Sequence, residues 1–187
     1  MRCEPPSSAE PINQYAVVSY IPGKLGDFIT RLRQELVSGC VAQSHVTILP
    51  PRPLPARAEI AEADLKIRSA PFPAFEMEIP KISVFDKTSV IFAEVSRGSE
   101  CFYEMHNALN SGVFAYDEPY TYHPHVTLAQ GIDPAIVAEY YELAVRRWAE
   151  CAPRPAAWID NLTFVQNTTA NRWMDLAEFE LRGALVG

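Results

Sequence analysis

The eight residues QSHVTILP at positions 43–50 return as HPHVTLAQ at positions 123–130. Both stretches contain histidine, valine, threonine and a branched aliphatic residue in that order, at His45–Ile48 and at His125–Leu128. Their β-branched and aliphatic side chains predict strands. Because successive side chains of a strand point to opposite faces of a sheet, the histidine and the threonine share one face. Each strand is therefore expected to present an imidazole and a hydroxyl side by side.

The segments around these two strands follow the same order, which predicts an internal duplication. Residues 15–86 contain a strand, an amphipathic helix, the HVT strand, a second helix and a late strand, and residues 89–166 repeat that series. The late strands are expected at 75–85 and 157–166. One further strand is expected at 172–181.

A duplication of this kind predicts an α+β protein with two lobes. Each lobe would be a small, mainly antiparallel sheet with helices on its outer face, and a central cleft between the lobes would place the two HVT strands opposite one another. Residues 14–187 would form this single bilobal domain, preceded by a flexible N-terminal tail of residues 1–13. The proline-rich segment 50–60 is expected to be a loop, because proline suits neither a helix interior nor a central strand.

Charge and composition narrow the classes of function. The chain has 16 basic and 23 acidic residues, a formal charge of -7, which disfavours extended nucleic-acid binding because such binding depends on clustered Lys and Arg. A short nucleotide or a chain end remains open as a partner. No apolar run reaches the roughly 18 residues of a membrane span, and the N-terminus lacks the apolar segment of a signal peptide. We therefore expect a cytoplasmic monomer without membrane association.

Two imidazoles that face each other can act as a general base and a general acid. An imidazole with an ordinary pKa of about 6.5 is available in either protonation state near neutral pH. In phosphodiester hydrolysis a neutral imidazole takes a proton from water, and an imidazolium gives one to the departing sugar oxygen. The hydroxyls of Thr47 and Thr127 are suited to holding the non-bridging phosphate oxygens. This chemistry requires no metal and no other cofactor.

With these two motifs the sequence resembles the two-histidine phosphoesterase superfamily, which includes the 2'-5' RNA ligases and the 2',3'-cyclic phosphodiesterases. The likeness covers residues 15–181 and rests on the paired H-x-[ST]-hydrophobic signatures. It implies a bilobal fold with a central groove and metal-independent opening of cyclic phosphates. By motif position, His45 and His125 take the acid and base roles, and Thr47 and Thr127 hold the phosphate. Which histidine is the base stays open.

Two further residues are candidate substrate contacts. Arg52 is the nearest cation after the first motif and could bind phosphate in a bidentate way. Tyr122, in the loop before the second motif, could stack on a base. Many RNA-directed members carry a basic residue soon after the second motif, where this chain has Ala129-Gln130-Gly131. We therefore expect a cyclic nucleotide or a short RNA terminus as substrate, with small substrates favoured.

Three other functions remain open from the sequence. The chain could be an RNA 2'-5' ligase, or it could be a non-catalytic nucleotide-binding module that keeps the fold. It could also be a His-based metal protein, because His123 and His125 form an H-x-H pair that points both imidazoles to one side of a regular strand. The three tryptophans lie in predicted helices or strands and are interpreted as core residues: Trp148, Trp158 and Trp173.

Overall fold

The computed structural model describes residues 9–151 and 155–182. Within these residues the chain forms four α-helices, nine strands and two short 3-10 turns. The strands are β1 (Pro11–Tyr20), β2 (His45–Arg52), β3 (Phe75–Glu78), β4 (Lys81–Val84), β5 (Ile91–Glu94), β6 (His125–Ala129), β7 (Ala156–Ile159), β8 (Asn161–Thr168) and β9 (Trp173–Glu180). The helices are α1 (Gly23–Leu36), α2 (Ala58–Ser69), α3 (Ser99–Leu109) and α4 (Val137–Trp148). None of the helices described is long and apolar enough to cross a membrane.

The α+β class is confirmed, and the two expected lobes are the halves of one large sheet. Its strand order is β4-β5-β6-β2-β1-β8-β9, and every neighbouring pair is antiparallel. The halves β4-β5-β6 and β2-β1-β8-β9 join where Val46 of β2 pairs with Val126 of β6. The two HVT strands are therefore neighbours at the centre of a continuous sheet, and the expectation of two separate sheets is corrected.

The two expected repeats exchange their last strands. β4 belongs to the first repeat but pairs with β5 of the second, whereas β8 belongs to the second repeat and pairs with β1 of the first. β3 and β7, which precede these strands, pair with each other in a two-stranded sheet. Each half of the large sheet therefore contains strands from both repeats.

The late strands expected at 75–85 and 157–166 are each divided in two. The first leaves the small sheet at Glu78 and enters the large sheet at Lys81, and Pro80 lies in the break because it cannot donate to a ladder. The second is interrupted at Asp160, between β7 and β8. Both breaks occur where the chain passes from one sheet to the other.

Two other expected boundaries also differ. Residues 11–13 are the start of β1, where Pro11 pairs with Thr168, and residues 1–8 of the expected tail lie outside the described part of the chain. The loop expected at 50–60 begins after Arg52, because β2 continues through two prolines across an irregular register with β1. β2 pairs with β6 at Val46 alone among the described residues. Pro50 and Pro51, near the end of β2, therefore do not interrupt hydrogen bonds to β6.

The helices pack on one face of the large sheet and leave the motif face open. In α1 the apolar residues Ile29, Leu32 and Leu36 recur at three- and four-residue spacing and are buried. They belong to one core with the valines of the HVT strands. The histidines and threonines of those strands point to the other face and stay partly exposed. The alternation of a strand thus separates the core from the site.

Candidate active site

Four polar side chains lie together on one face at the centre of the large sheet: His45, Thr47, His125 and Thr127. The valines between them pair across the two strands and are fully buried on the opposite face. In an antiparallel pair, residues on either side of a paired position lie opposite one another. His45 is therefore beside Thr127, and Thr47 is beside His125.

The two histidines consequently lie on a diagonal of this four-residue arrangement. Diagonal neighbours in an antiparallel pair are about 7–8 Å apart. That separation leaves room for a phosphate group between the two rings. Each imidazole also has a threonine hydroxyl from the other repeat beside it, so both repeats contribute to the surroundings of such a group.

Each histidine is oriented by a backbone hydrogen bond. His45 Nδ1 lies 2.8 Å from the carbonyl oxygen of Gln43, and His125 Nδ1 lies 2.7 Å from that of His123. A carbonyl oxygen can only accept, so each Nδ1 carries the hydrogen and donates. In the neutral ring Nε2 is then the unprotonated nitrogen. The same contact, to the residue two positions earlier, sets the same tautomer in both motifs.

Burial lowers the pKa of both histidines. The pKa of His45 falls from 6.5 to about 4, chiefly because of burial and next because of the positive charge of Arg33. The pKa of His125 is also lowered, again chiefly by burial. The hydrogen bonds to the carbonyls of Gln43 and His123 oppose these shifts, because they stabilise the charged ring. Both rings are therefore mainly neutral at pH 7, and a bound anion would favour their protonation.

A groove of about 640 Å³ opens beside the motif residues. His45, Thr47 and Thr127 line one end of it, and it continues over the β1-β8-β9 half of the sheet. The ring of His125 is instead in edge contact with Phe85 and Phe92, at centroid distances of 5.0 and 5.4 Å. A ligand in the groove would thus approach the histidine pair from the His45 side.

Arg33 is a candidate site residue that the sequence analysis did not identify. Its side chain extends from α1 to the junction of the HVT strands, is only 6% exposed, and lines the groove. Nη1 donates to the Thr127 carbonyl at 2.6 Å, and Nε has no hydrogen-bond partner among the described residues. A buried guanidinium with unused donors beside His45 is suited to binding phosphate oxygens. A sequence signal existed, because Arg33 follows Ile29 by four residues and so falls on the buried face of α1.

Arg52 is not free to bind a substrate, and the expectation that it does so is corrected. It is 1% exposed, and its guanidinium donates to the carbonyls of Pro50 and Phe114 and to Asn110 Oδ1. It also forms an ion pair with Glu118 at 2.5 Å. These contacts tie the end of β2 to the segment after α3, so Arg52 has a structural role.

Tyr122 supports β2 instead of offering a free surface for a base. Its hydroxyl donates to the Thr47 carbonyl at 2.9 Å. One face of its ring stacks on His106, with a centroid distance of 3.9 Å and an interplanar angle of 6°, and Tyr103 makes an edge contact. We therefore correct the expectation of base stacking and assign Tyr122 a positioning role for the strand that carries Thr47.

The H-x-H pair and the tryptophans also have definite places. The rings of His123 and His125 are 6.3 Å apart, and over residues 9–151 and 155–182 no group of three or more His, Cys, Asp or Glu is placed to hold a metal ion.

Trp148 is buried, as expected of a core residue. Trp158 is 48% exposed, so the core interpretation is wrong for it. Trp173 is half-buried against a small apolar cluster of Ala16, Val18 and Val165, and it also lines the groove.

Fold and site together define a class of protein. It is an α+β protein whose large sheet carries two adjacent histidine-threonine strands beside a groove. The family model of the 2'-5' RNA ligase superfamily matches residues 21–171, and the chain belongs to this superfamily of two-histidine phosphoesterases. A Geobacillus kaustophilus protein named as a candidate phosphoesterase is 25% identical over 136 residues, which cover 68% of this chain and 75% of that protein.

Solved structures share the fold. Escherichia coli LigT in its apo form has a TM-score of 0.63 and 16% identity, covering 93% of this chain and 99% of LigT. LigT complexed with 3'-AMP gives the same TM-score and identity, with coverage of 92% and 99%. The Thermus thermophilus protein TT0787 has a TM-score of 0.60 and 17% identity, with coverage of 91% and 99%. At these identities the likeness establishes a common fold.

Proposed function

We propose that this protein is a metal-independent phosphoesterase that hydrolyses 2',3'-cyclic phosphates of nucleotides or short RNA ends. The observation that carries the proposal is the pairing of Val46 with Val126, which gathers two imidazoles and two hydroxyls on one open face. Membership of the 2'-5' RNA ligase superfamily supports a phosphoesterase or ligase activity. The adjoining groove supports a nucleotide-sized substrate.

Ring opening needs one proton removed and one proton supplied. One neutral imidazole takes a proton from water through Nε2 as the water oxygen attacks phosphorus. The other imidazole, protonated on Nε2, gives its proton to the ribose oxygen as the P–O bond breaks. The net change is the addition of one water, and the two histidines return to their starting states by exchanging protons with solvent.

The positive charge of Arg33 favours His45 as the base in this reaction. A cation beside His45 disfavours the imidazolium, which is one cause of its lowered pKa. His125 would then be the general acid. Arg33 would also bind a non-bridging phosphate oxygen through its unused donors, while Thr47 and Thr127 hydroxyls bind as negative charge redistributes in the transition state.

The test uses purified protein with excess EDTA, the four nucleoside 2',3'-cyclic phosphates and a short RNA that ends in a 2',3'-cyclic phosphate. Turnover is expected to survive the chelator and to fall by about 100-fold or more in His45→Ala and in His125→Ala, because each proton transfer contributes typically that much. His123→Ala is the matched control, since it removes a neighbouring imidazole but keeps the backbone carbonyl that orients His125. Loss of turnover with EDTA, or no turnover of any substrate, contradicts the proposal.

A further inference from the structure

Tyr20 of β1 lies next to His45 and has no role in the hydrolysis as proposed. The two residues pair across β1 and β2, so their side chains share the open face of the sheet. The Tyr20 ring meets the imidazole almost at right angles, with a centroid distance of 6.2 Å and an interplanar angle of 88°. In the second motif, Phe85 and Phe92 meet His125 in a similar way. Both motif histidines thus have a perpendicular aromatic neighbour, an arrangement in which rings attract one another.

The Tyr20 ring is itself held from the far edge of the sheet. Its hydroxyl donates to Asp175 Oδ1 of β9 at 2.6 Å, and β8 lies between the two strands. Burial raises the pKa of this hydroxyl, and so do the negative charges of Asp175 and Glu178, so it stays protonated and remains a donor near neutral pH. The ring also packs against the same small apolar cluster as Trp173. Tyr20 is therefore fixed by a hydrogen bond to a carboxylate as well as by apolar contact.

A β-bulge in β9 puts the carboxylate on this face. Val165 of β8 pairs with Asp175, whereas the preceding residue of β8 pairs with Ala177. Leu176 is therefore an extra residue between the two pairs. In a regular ladder Leu176 would lie opposite Val165, and Asp175 would point to the other face because neighbouring side chains of a strand alternate. The bulge thus supplies the acceptor that holds Tyr20.

The Tyr20 ring also shields one side of the His45 imidazole from water. Burial is the main cause of the lowered pKa of His45. The charges of Arg33 on α1 and of His125 on β6 lower this pKa further, and the hydrogen bond to the Gln43 carbonyl opposes the shift. The contribution of the Tyr20 ring is removal of solvent, so its loss should raise the pKa of His45.

We propose that Tyr20 is a positioning residue for His45 and that Asp175 holds Tyr20 in place. The ring reduces the swing of the imidazole about its Cβ–Cγ bond, which one hydrogen bond from Nδ1 restrains only in part, and so keeps Nε2 directed at the attacking water. Displacement of a catalytic group by about 1 Å can cost on the order of 100-fold in rate, so this restraint affects turnover. The effect on rate rests on the proposed hydrolysis, whereas the contact with the imidazole is measurable without turnover.

The first test is an NMR titration of the histidine ring signals, with His45→Ala used to assign the signal of His45. Tyr20→Ala should raise the pKa of His45 from about 4 towards 6.5, because water reaches the imidazole. Tyr20→Phe keeps the ring and should leave this pKa close to its wild-type value. Trp173→Ala is the matched control, since it removes the other aromatic ring that packs on the same cluster, three strands from β2. Unchanged signals from the other histidines show that each variant is folded.

The second test measures kcat and KM for adenosine 2',3'-cyclic phosphate. Tyr20→Ala should lower kcat about tenfold with little change in KM, because the ring orients a proton-transfer group. Tyr20→Phe and Asp175→Ala remove the two ends of one hydrogen bond, so each variant and the double variant should all lower kcat about threefold. Asp175→Asn keeps a carbonyl oxygen as acceptor and should restore most of the rate. A loss of about ninefold in the double variant, as independent effects would give, contradicts the pairing of the two residues.

The two tests distinguish failure of this proposal from failure of the proposed hydrolysis. An unchanged pKa of His45 in Tyr20→Ala, or an equal rise in Trp173→Ala, overturns the positioning role whatever the rates. A rise in KM with kcat unchanged in Tyr20→Ala also overturns it. If the wild-type protein turns over no cyclic phosphate, the proposed hydrolysis fails and the titration alone decides. A raised pKa in Tyr20→Ala with a wild-type pKa in Tyr20→Phe then supports the contact, and equal values in all three proteins overturn it.

Discussion

Each motif histidine is held by one backbone hydrogen bond from its Nδ1, and the two repeats stabilise the path of that backbone differently. Before His45, the hydroxyl of Ser44 donates to the Gly26 carbonyl at 2.9 Å and so ties the strand start to α1. Before His125, Pro124 occupies the same position, and its ring restricts the backbone. The accepting carbonyls belong to the backbone, so the tautomer does not depend on the neighbouring side chains. Nε2 is consequently the reactive nitrogen in both motifs.

The lowered pKa values predict that activity is highest at acidic pH. The general base must be neutral, and His45 becomes protonated only as the pH falls towards about 4. The general acid must be protonated, and burial lowers the pKa of His125 below its ordinary value of 6.5. We therefore expect kcat/KM for a cyclic nucleotide to decrease as pH rises above about 6.5, approaching tenfold per pH unit. A pH-rate profile measures this, and a rate that climbs from pH 7 to pH 8 contradicts it.

Arg33→Gln should move the acidic limb of the same profile. Removing the positive charge raises the pKa of His45, so the base becomes protonated at a higher pH and the limb shifts upward. The loss of a charged hydrogen-bond donor to phosphate should also lower kcat/KM about 10- to 100-fold. Arg31→Gln changes an exposed arginine on the same helix and is the control for both effects. If the acidic limb of the pH-rate profile falls at the same pH in Arg33→Gln as in the wild-type protein, the charge of Arg33 does not act on His45.

The sequence predicts those helices and strands whose pattern of apolar and polar side chains is complete within a few neighbouring residues. The HVT strands were identified because their alternation places valine inside and histidine outside over a few residues. The strands at 75–85 and 157–166 each look continuous in composition, and their division depends on which distant strand each part joins. Arg52 follows two prolines and looked exposed, but the chain around it stays paired with β1. Trp173 could not be placed because a strand tryptophan at a groove and one in a core have the same local sequence.

Loss of the Arg52–Glu118 ion pair should lower stability more than catalysis. The two side chains are 1% and 10% exposed, and removing one partner of a buried pair typically costs about 3–5 kcal/mol, because the other charge stays buried. Here Glu118 would keep one contact, His106 Nε2 at 3.0 Å from its Oε1. Arg52→Met should therefore lower the free energy of unfolding by about that amount in urea. The kcat/KM of the folded fraction should change little, because Arg52 contacts β2 and the segment after α3 instead of the groove.

The matched control is Arg57→Met, which removes the exposed ion pair with Glu59. The effect on stability there should stay within about 0.5 kcal/mol, since exposed ion pairs contribute little. The two arginines lie five positions apart, so both variants change charge equally in the same part of the chain. If Arg52→Met weakened phosphate binding without loss of stability, the result would support Arg52 as a phosphate contact and contradict its structural role.

The exchange of β4 and β8 makes the two repeats dependent on each other. Each half of the large sheet obtains one of its strands from the other repeat, and the small sheet consists of one strand from each. The motif histidines lie where the halves join, through a single recorded pair at Val46 and Val126. Arg33 adds a link across this junction, since it bridges from α1 to β6, and the exchanged strands tie the two repeats together on either side of it. We propose that the repeats fold as one cooperative unit for this reason.

Cutting the chain in the turn between β4 and β5 tests this dependence. Fragments 1–88 and 89–187 each contain one repeat and one HVT motif, but each lacks strands that its half of the sheet requires. We expect neither fragment alone to show a cooperative thermal transition, because its exposed sheet edges and apolar face have no partner. The mixed fragments should recover a cooperative transition whose midpoint rises with protein concentration, as mass action requires for an assembled pair. Circular dichroism at several concentrations measures this, with the uncut chain as the control whose midpoint stays constant. A fragment that unfolds cooperatively by itself would show that a repeat is an independent domain and that the exchanged strands do not determine its fold.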